Sequence, residues 1–308
     1  MGAAMGFANE CGDDCRGSWQ RLLLSRPGSP VDTLTRVDWI QGPEFYVDLR
    51  QPAELQGGIA ATCLGQVQPE EALLLARQEG FAGRFVLAGN EAEWQRGIDF
   101  RPCPLGDRGR LESHGDLLIE HGIEAEYIEH WQREPASLAG ASGSALLRGE
   151  RDGRRVILVR QGNRFGYARD RMWPVGRHED LASLLQGATP EEARELIDCE
   201  ISLGTVTERG WRIERSSLPW RKGAILLEAG ASLDGGRLRI ADVDASGALV
   251  TRVLTLLERH GDPLPAAHAP AVASAVAAHC AAAPHSGTGF VPVIDIAALG
   301  GGDDAAEA

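Results

Sequence analysis

The sequence has no apolar run approaching the roughly 18 residues that a membrane-crossing helix needs, so no helical membrane span is expected. It is also short of basic residues. Lys and Arg number 31 against 44 Asp and Glu, a formal net charge of −13. Nucleic acids and anionic membrane surfaces are held by clustered Lys and Arg, so neither is an expected partner. The six Cys are scattered, and no Cys or His pairs recur at finger spacing. A structural zinc is therefore not expected, and a reduced compartment fits this Cys usage. The stretch from Met1 to Asp14 has neither a basic segment nor a long apolar one. A secretory signal is not expected there, and the cytoplasm is the expected location. Two motifs are near misses. Gly140-Ala141-Ser142-Gly143-Ser144 ends in Ser where a hydrolase nucleophile elbow ends in Gly. Gly300-Gly301-Gly302 follows no βαβ pattern, so it is not a dinucleotide fingerprint.

What the chain does have is an internal repeat. Gln41-Gly42, Tyr46 and Arg50 recur as Gln161-Gly162, Tyr167 and Arg171. Pro69-Glu70-Glu71-Ala72 starts 23 residues beyond Tyr46, and Pro190-Glu191-Glu192-Ala193 starts 23 beyond Tyr167. Trp94 and Pro102 return as Trp211 and Pro219 at the same spacing of eight. Two copies are too few for a solenoid, which needs at least about three stacked units, so each copy must close on itself.

Short turn-bounded segments of alternating polarity dominate both halves. Strands are expected over 17–26, 31–41 and 44–50, then a helix near 69–79, then five more strands between 82 and 133. The second half repeats this order, with helices near 178–186 and 190–197 and strands from 143 to 257. An eight-stranded antiparallel barrel is the closed form that such a unit builds. The expected fold is mainly β: two tandem calycin-like antiparallel barrels with short helices and a flexible C-terminal tail. The divisions are a flexible lead over 1–16, barrels over 17–136 and 137–261, and an Ala-, Pro- and Gly-rich tail over 262–308 in which Val291–Ile296 could add a strand.

Alternation sorts the polar residues onto faces. Tyr46, Asp48 and Arg50 share one face of their strand, opposite Phe45, Val47 and Leu49. Tyr127, Glu129 and Trp131 share a face opposite Glu126, Ile128 and His130. Trp94, Arg96, Ile98 and Phe100 share a face opposite Gln95 and Asp99, and Trp39 shares its face with Val37 and Gln41. Two assemblies follow. In one, the apolar sets fill the barrel and the Tyr-Asp-Arg face is a salt-bridge ladder outside it. In the other, Tyr46, Asp48, Arg50, Tyr127 and Glu129 point inward and line a pocket walled by Trp39, Trp94 and Trp131, as small-molecule sites are lined. Features present in both copies read as structural, so chemistry is expected in the first half, where Asp48 stands and the second copy has Arg169. By the same test His130 joins Tyr46, Asp48, Arg96, Tyr127 and Glu129 as a candidate catalytic residue, although a lone strand His more often has a hydrogen-bonded structural role. A haem would need an axial His, and His130 is the sole fair candidate; no cofactor and no metal are expected.

Several runs resemble the Hri-type proteins of fungi and bacteria, which are two-barrel calycin-like chains. These runs are Val37-Asp38-Trp39-Ile40-Gln41, Tyr46-Val47-Asp48-Leu49-Arg50, Glu79-Gly80-Phe81-Ala82-Gly83, Trp94 to Phe100, Asp107-Arg108-Gly109-Arg110, Tyr127 to Trp131, and Gly210-Trp211-Arg212-Ile213-Glu214 to Pro219. The resemblance covers roughly residues 17–255 and implies the two-barrel fold. It supplies no activity.

The expected function is a cofactor-independent lyase, decarboxylase-like, or an isomerase acting on a small hydrophobic or aromatic carboxylate. Phenolic acid decarboxylases, similar in fold and residue types only, use Tyr, Arg and Glu this way. Arg96 or Arg50 would hold the carboxylate, Tyr46 or Tyr127 would orient an oxygen, and Glu129, its pKa raised by burial, would move the proton. The alternatives are a non-catalytic binder of a small apolar ligand and a protein-interaction scaffold. A homodimer is allowed for.

Overall fold

Alternating segments bounded by turns become strands, and the strands close on themselves. The chain is described by a computed structural model covering residues 15–264 apart from Gln56. Most of the lead, the tail and its Val291–Ile296 segment lie outside the described residues.

Eight strands form the first barrel in simple up-and-down order: β1 (Gly17–Ser25), β2 (Arg36–Gln41), β3 (Phe45–Gln51), β4 (Glu79–Ala88), β5 (Glu91–Asp99), β6 (Arg108–His114), β7 (Leu117–Gly122) and β8 (Ile128–Arg133). β8 pairs back onto β1, with Trp19 opposite Arg133 and Arg21 opposite Trp131, which closes the barrel and removes its edges. The second barrel repeats the order: β9 (Ser142–Gly149), β10 (Arg155–Gln161), β11 (Arg164–Arg169), β12 (Glu200–Thr207), β13 (Gly210–Ser216), β14 (Ile225–Glu228), β15 (Arg237–Val243) and β16 (Leu249–Gly261). β16 returns to β9, while β14 and β15 lie side by side without a ladder, so this barrel is nearly closed. β16 runs past the expected end at 257 because a bulge between Leu256 and Glu258 keeps it in register with β9 as far as Gly261.

The helices also obey the repeat. α1 (Pro69–Leu75) connects β3 to β4; α2 (Leu181–Gly187) and α3 (Pro190–Ile197) connect β11 to β12. Each Pro-Glu-Glu start is a helix N-terminus. Glu71 accepts from the Gln68 backbone N–H at 3.0 Å, and Glu192 accepts from that of Thr189 at 2.8 Å, each capping its own helix. α1 stops at Leu75, short of the expected 79, because Glu79 already pairs with Arg50 in the β3–β4 ladder.

The two barrels share one core. Ile40, Phe45, Val47, Leu49, Ala82, Ile98 and Phe100 pack against Ile157, Val159, Ala168, Ile201 and Leu203, with helix residues Leu75, Leu181 and Ile197 alongside. Gly166 of β11 is what allows the close approach: a Cβ there would stand 2.7 Å from that of Val47. This packing decides which way β3 faces. Its apolar set is spent on the neighbouring barrel, so Tyr46, Asp48 and Arg50 turn into their own.

Candidate functional site

The interior of the first barrel is divided along its axis. Toward one end lies an aromatic plug. The Trp39 ring centroid is 6.0 Å from Trp19, 5.5 Å from Trp94, 5.8 Å from Trp131 and 5.9 Å from Phe85. Trp19, Trp39 and Trp131 are each 1% exposed and Trp94 6%, so these rings are almost wholly enclosed by protein atoms. The expected aromatic walls are therefore packing, and Trp39, Trp94 and Trp131 fill the barrel instead of enclosing a cavity. Filling of this density is what barrels of eight strands can accommodate.

Toward the other end the interior is charged. This is where β1, β3, β5 and β7 finish and where β2, β4, β6 and β8 begin, so every inward residue of those segments converges there. Arg50 donates Nε to Asp48 at 2.9 Å. Arg96 lies over the Phe81 ring at 3.6 Å and donates to Asp107 at 2.7 Å and to Asp99 at 3.3 Å. Arg21 donates to Glu129 at 2.7 Å and to Asp32 at 2.8 Å. Tyr46 is fully buried among these groups, and its hydroxyl has no hydrogen-bond partner among the described residues.

Glu120 is buried beside these groups. Tyr127 donates its hydroxyl to Glu120 Oε1 at 2.6 Å, and Trp131 donates Nε1 to Oε2 at 3.2 Å. Burial, followed by the nearby Glu129 and Asp107, pushes the Glu120 carboxyl well above its ordinary range. Burial of this kind disfavours the ionised form. Burial pushes Asp48 up to about 6 as well, against the opposing pull of Arg50. Tyr127 is raised by burial and then by Glu120, so it stays a phenol that can donate.

Of the expected site residues, Tyr46, Asp48, Arg50, Arg96, Tyr127 and Glu129 meet inside the first barrel, with Trp39, Trp94 and Trp131 as its filling. His130 does not join them. It alternates with the inward Glu129 and Trp131, so it stands on the outer face, paired across to Leu23 and Ile119. The proton-carrying role expected of Glu129 also shifts. Glu129 is matched by the Arg21 guanidinium, and Glu120 is the carboxyl of this set that makes no ion pair among the described residues. Likewise Arg50 and Arg96 are each committed to internal carboxylates, so neither is an empty clamp for a substrate carboxylate.

Five charged members were missed in the sequence: Arg21, Asp32, Asp99, Asp107 and Glu120. Arg21 lies two residues from Trp19 in β1 and Glu120 two from the buried Leu118 in β7, each pair on one face, so periodicity carried both signals. Asp107 precedes its strand and left none. A bulge where β4 meets β5, between Ala82 and Gly83, sets Ile98 and Phe100 into the core shared by the barrels, off the face of Trp94 and Arg96 with which alternation had grouped them.

The second barrel answers with a different charge pattern. Tyr167 is buried like Tyr46, and its hydroxyl is also unpartnered among the described residues. At the Asp48 position Arg169 donates to Asp198 at 2.8 Å, and Arg221 donates to Glu200 at 2.9 Å. Trp211 packs in the second core, as Trp94 does in the first. Arg171, the partner of Arg50 in the repeat, instead crosses to donate to the Phe100 carbonyl of the first barrel. Among the described residues no three His, Cys, Asp or Glu side chains come together in a metal-holding arrangement, and no helix is long and apolar enough to cross a membrane.

No family model and no curated sequence matches the chain. Among solved structures it is similar to an uncharacterized protein of the yeast Saccharomyces cerevisiae, YLR301w, with a TM-score of 0.47 at 12% sequence identity, covering 79% of this chain and 98% of that one. The two-barrel architecture rests on the strand pairing itself.

Proposed function

We propose that the charged end of the first barrel carries out cofactor-independent proton transfer, of isomerase or lyase type, on a small organic substrate. The observation that supports this reading is the buried Glu120 carboxyl beneath the half-buried Tyr127 hydroxyl. A neutral carboxyl held by a phenol is a proton reservoir. When its hydroxyl proton turns from Glu120 to a basic carbon or oxygen of the substrate, Tyr127 gives that proton up and takes one from the neutral Glu120 carboxyl, which is left ionised; the return path runs the same relay backwards. Asp48, pushed up to about 6, is a second group able to exchange protons near neutral pH.

The charge balance narrows the substrate. With Glu120 neutral, Asp32, Asp48, Asp99, Asp107 and Glu129 still outnumber Arg21, Arg50 and Arg96 in this end of the barrel. A further carboxylate would be repelled there, so a neutral carbonyl or enol compound is favoured over the free acid expected from the sequence. The aromatic plug confines it to the mouth.

The test is exchange of substrate C–H for deuterium in D2O, followed by NMR across a panel of small ketones, aldehydes and unsaturated esters. General acid–base groups contribute about 100- to 10,000-fold. At least one compound should exchange with the wild-type protein and lose at least that lower factor with Glu120→Gln. Equal rates for the two proteins would overturn the assignment.

A non-catalytic barrel is the second reading. It is favoured by the internal pairing of Arg50 and Arg96 and by the filled interior, which together resemble a stable scaffold more than an empty calyx.

A further inference from the structure

Lys222 is the only lysine among the 308 residues. It follows the single turn Pro219–Arg221 after β13, and it lines a cleft of about 390 Å³. The cleft lies between the barrels. Arg36 and Gln51 come from the first, and Arg215 and Lys222 from the second. Pro52, Leu55, Leu75 and Pro219 give it an apolar side. Ligand sites concentrate at junctions of this kind.

The cations here are under-neutralised. Asp38 is shared by two guanidiniums, accepting from Arg36 at 3.1 Å and also from Arg215. Glu214, at the edge of the cleft, is already engaged by Arg164 at 2.9 Å and Thr205 at 2.6 Å. Lys222 is exposed and makes no ion pair among the described residues. Arg215 is buried, and the Asp38 carboxylate it meets is shared with Arg36. A bound anion would relieve that. In a chain of formal charge −13, a cationic recess beside an apolar wall selects its ligand clearly.

We propose that this cleft binds a small organic acid, with its carboxylate on Lys222 and Arg36 and its apolar body against Leu55, Leu75 and Pro52. The site is separate from Glu120 and does not depend on the proton-transfer reading. It places the affinity for carboxylates between the barrels, where positive charge is in excess.

The lone lysine makes the test direct. The full-length protein is treated with an amine-selective acetylating reagent, and Lys222 modification is followed by peptide mass mapping. Benzoate and hexanoate are the probes; benzamide is the uncharged control. Either acid should slow Lys222 acetylation several-fold, benzamide should not, and Arg36→Gln should weaken benzoate binding by calorimetry about tenfold, as expected for loss of one charge-assisted contact. Arg36 is half exposed, so this variant should fold. No protection by either acid up to about 10 mM, a concentration that would fill even a millimolar site, would overturn the proposal, as would equal protection by benzamide.

Discussion

The Tyr127 hydroxyl meets Glu120 Oε1 at 2.6 Å, and each of the two side chains occupies space left by a glycine. A Cβ at Gly122 would stand 2.3 Å from the Tyr127 ring, and one at Gly109 would stand 2.7 Å from Glu120 Cγ. The pair is thus built into the β6–β7 ladder, where Gly109 and Gly122 sit opposite one another. It brings a proton donor to the charged end of a barrel whose remaining volume is filled by tryptophan.

Asp48 makes folding depend on pH. Its folded value is about 6 against an ordinary 3.8, so the folded state holds this proton more tightly than the unfolded chain does. That stabilisation is complete below 3.8 and is lost as pH rises through about 6, a change of roughly 3 kcal/mol at about 1.4 kcal/mol per unit. Urea unfolding of the wild type minus that of Asp48→Asn should fall by about this amount between pH 4 and 7. A flat or rising difference would show that Arg50 outweighs burial.

Trp39 is packing. Trp39→Ala should cost about 3–5 kcal/mol in urea unfolding, the range for removing a large ring from a filled core. A cost below about 1 kcal/mol would mean that the ring borders open space, and a ligand cavity would have to be reconsidered.

The barrel junction depends on one missing methyl. Gly166→Ala should destabilise by about 1–3 kcal/mol, because its Cβ would press on Val47. In a Val47→Ala background the same change should cost less, with a coupling of at least about 0.5 kcal/mol. Strict additivity would argue against this contact as the determinant.

His130 stands on the outer face. His130→Ala should shift stability by no more than about 0.5 kcal/mol and leave deuterium exchange into any responsive substrate unchanged. Loss of exchange in this variant would return His130 to the site.

Much of the fold was legible. The recurrence of Tyr46, Arg50, Pro69, Trp94 and Pro102 corresponds to matching strands and helices in two barrels, and the Pro-Glu-Glu starts are capped as their composition implies. Alternation also sorted β3 correctly into two faces. Which face was inside could not be read, because both are buried: Phe45 is 2% exposed and Tyr46 0%. The apolar set serves a partner barrel that begins about 100 residues later, a contact that local periodicity does not encode. Glu120 escaped notice for a related reason. A carboxylate beside the His121-Gly122 turn reads as a solvated strand end, and only its place two residues from Leu118, on the same face, pointed inward.

The most direct test needs no substrate. Infrared difference spectroscopy of the wild type against Glu120→Gln at neutral pH reads the protonation state of this one side chain. A protonated carboxyl band that vanishes in the variant is the predicted result. A difference spectrum holding only ionised carboxylate bands would contradict the proton reservoir and remove the basis for catalysis at the first barrel.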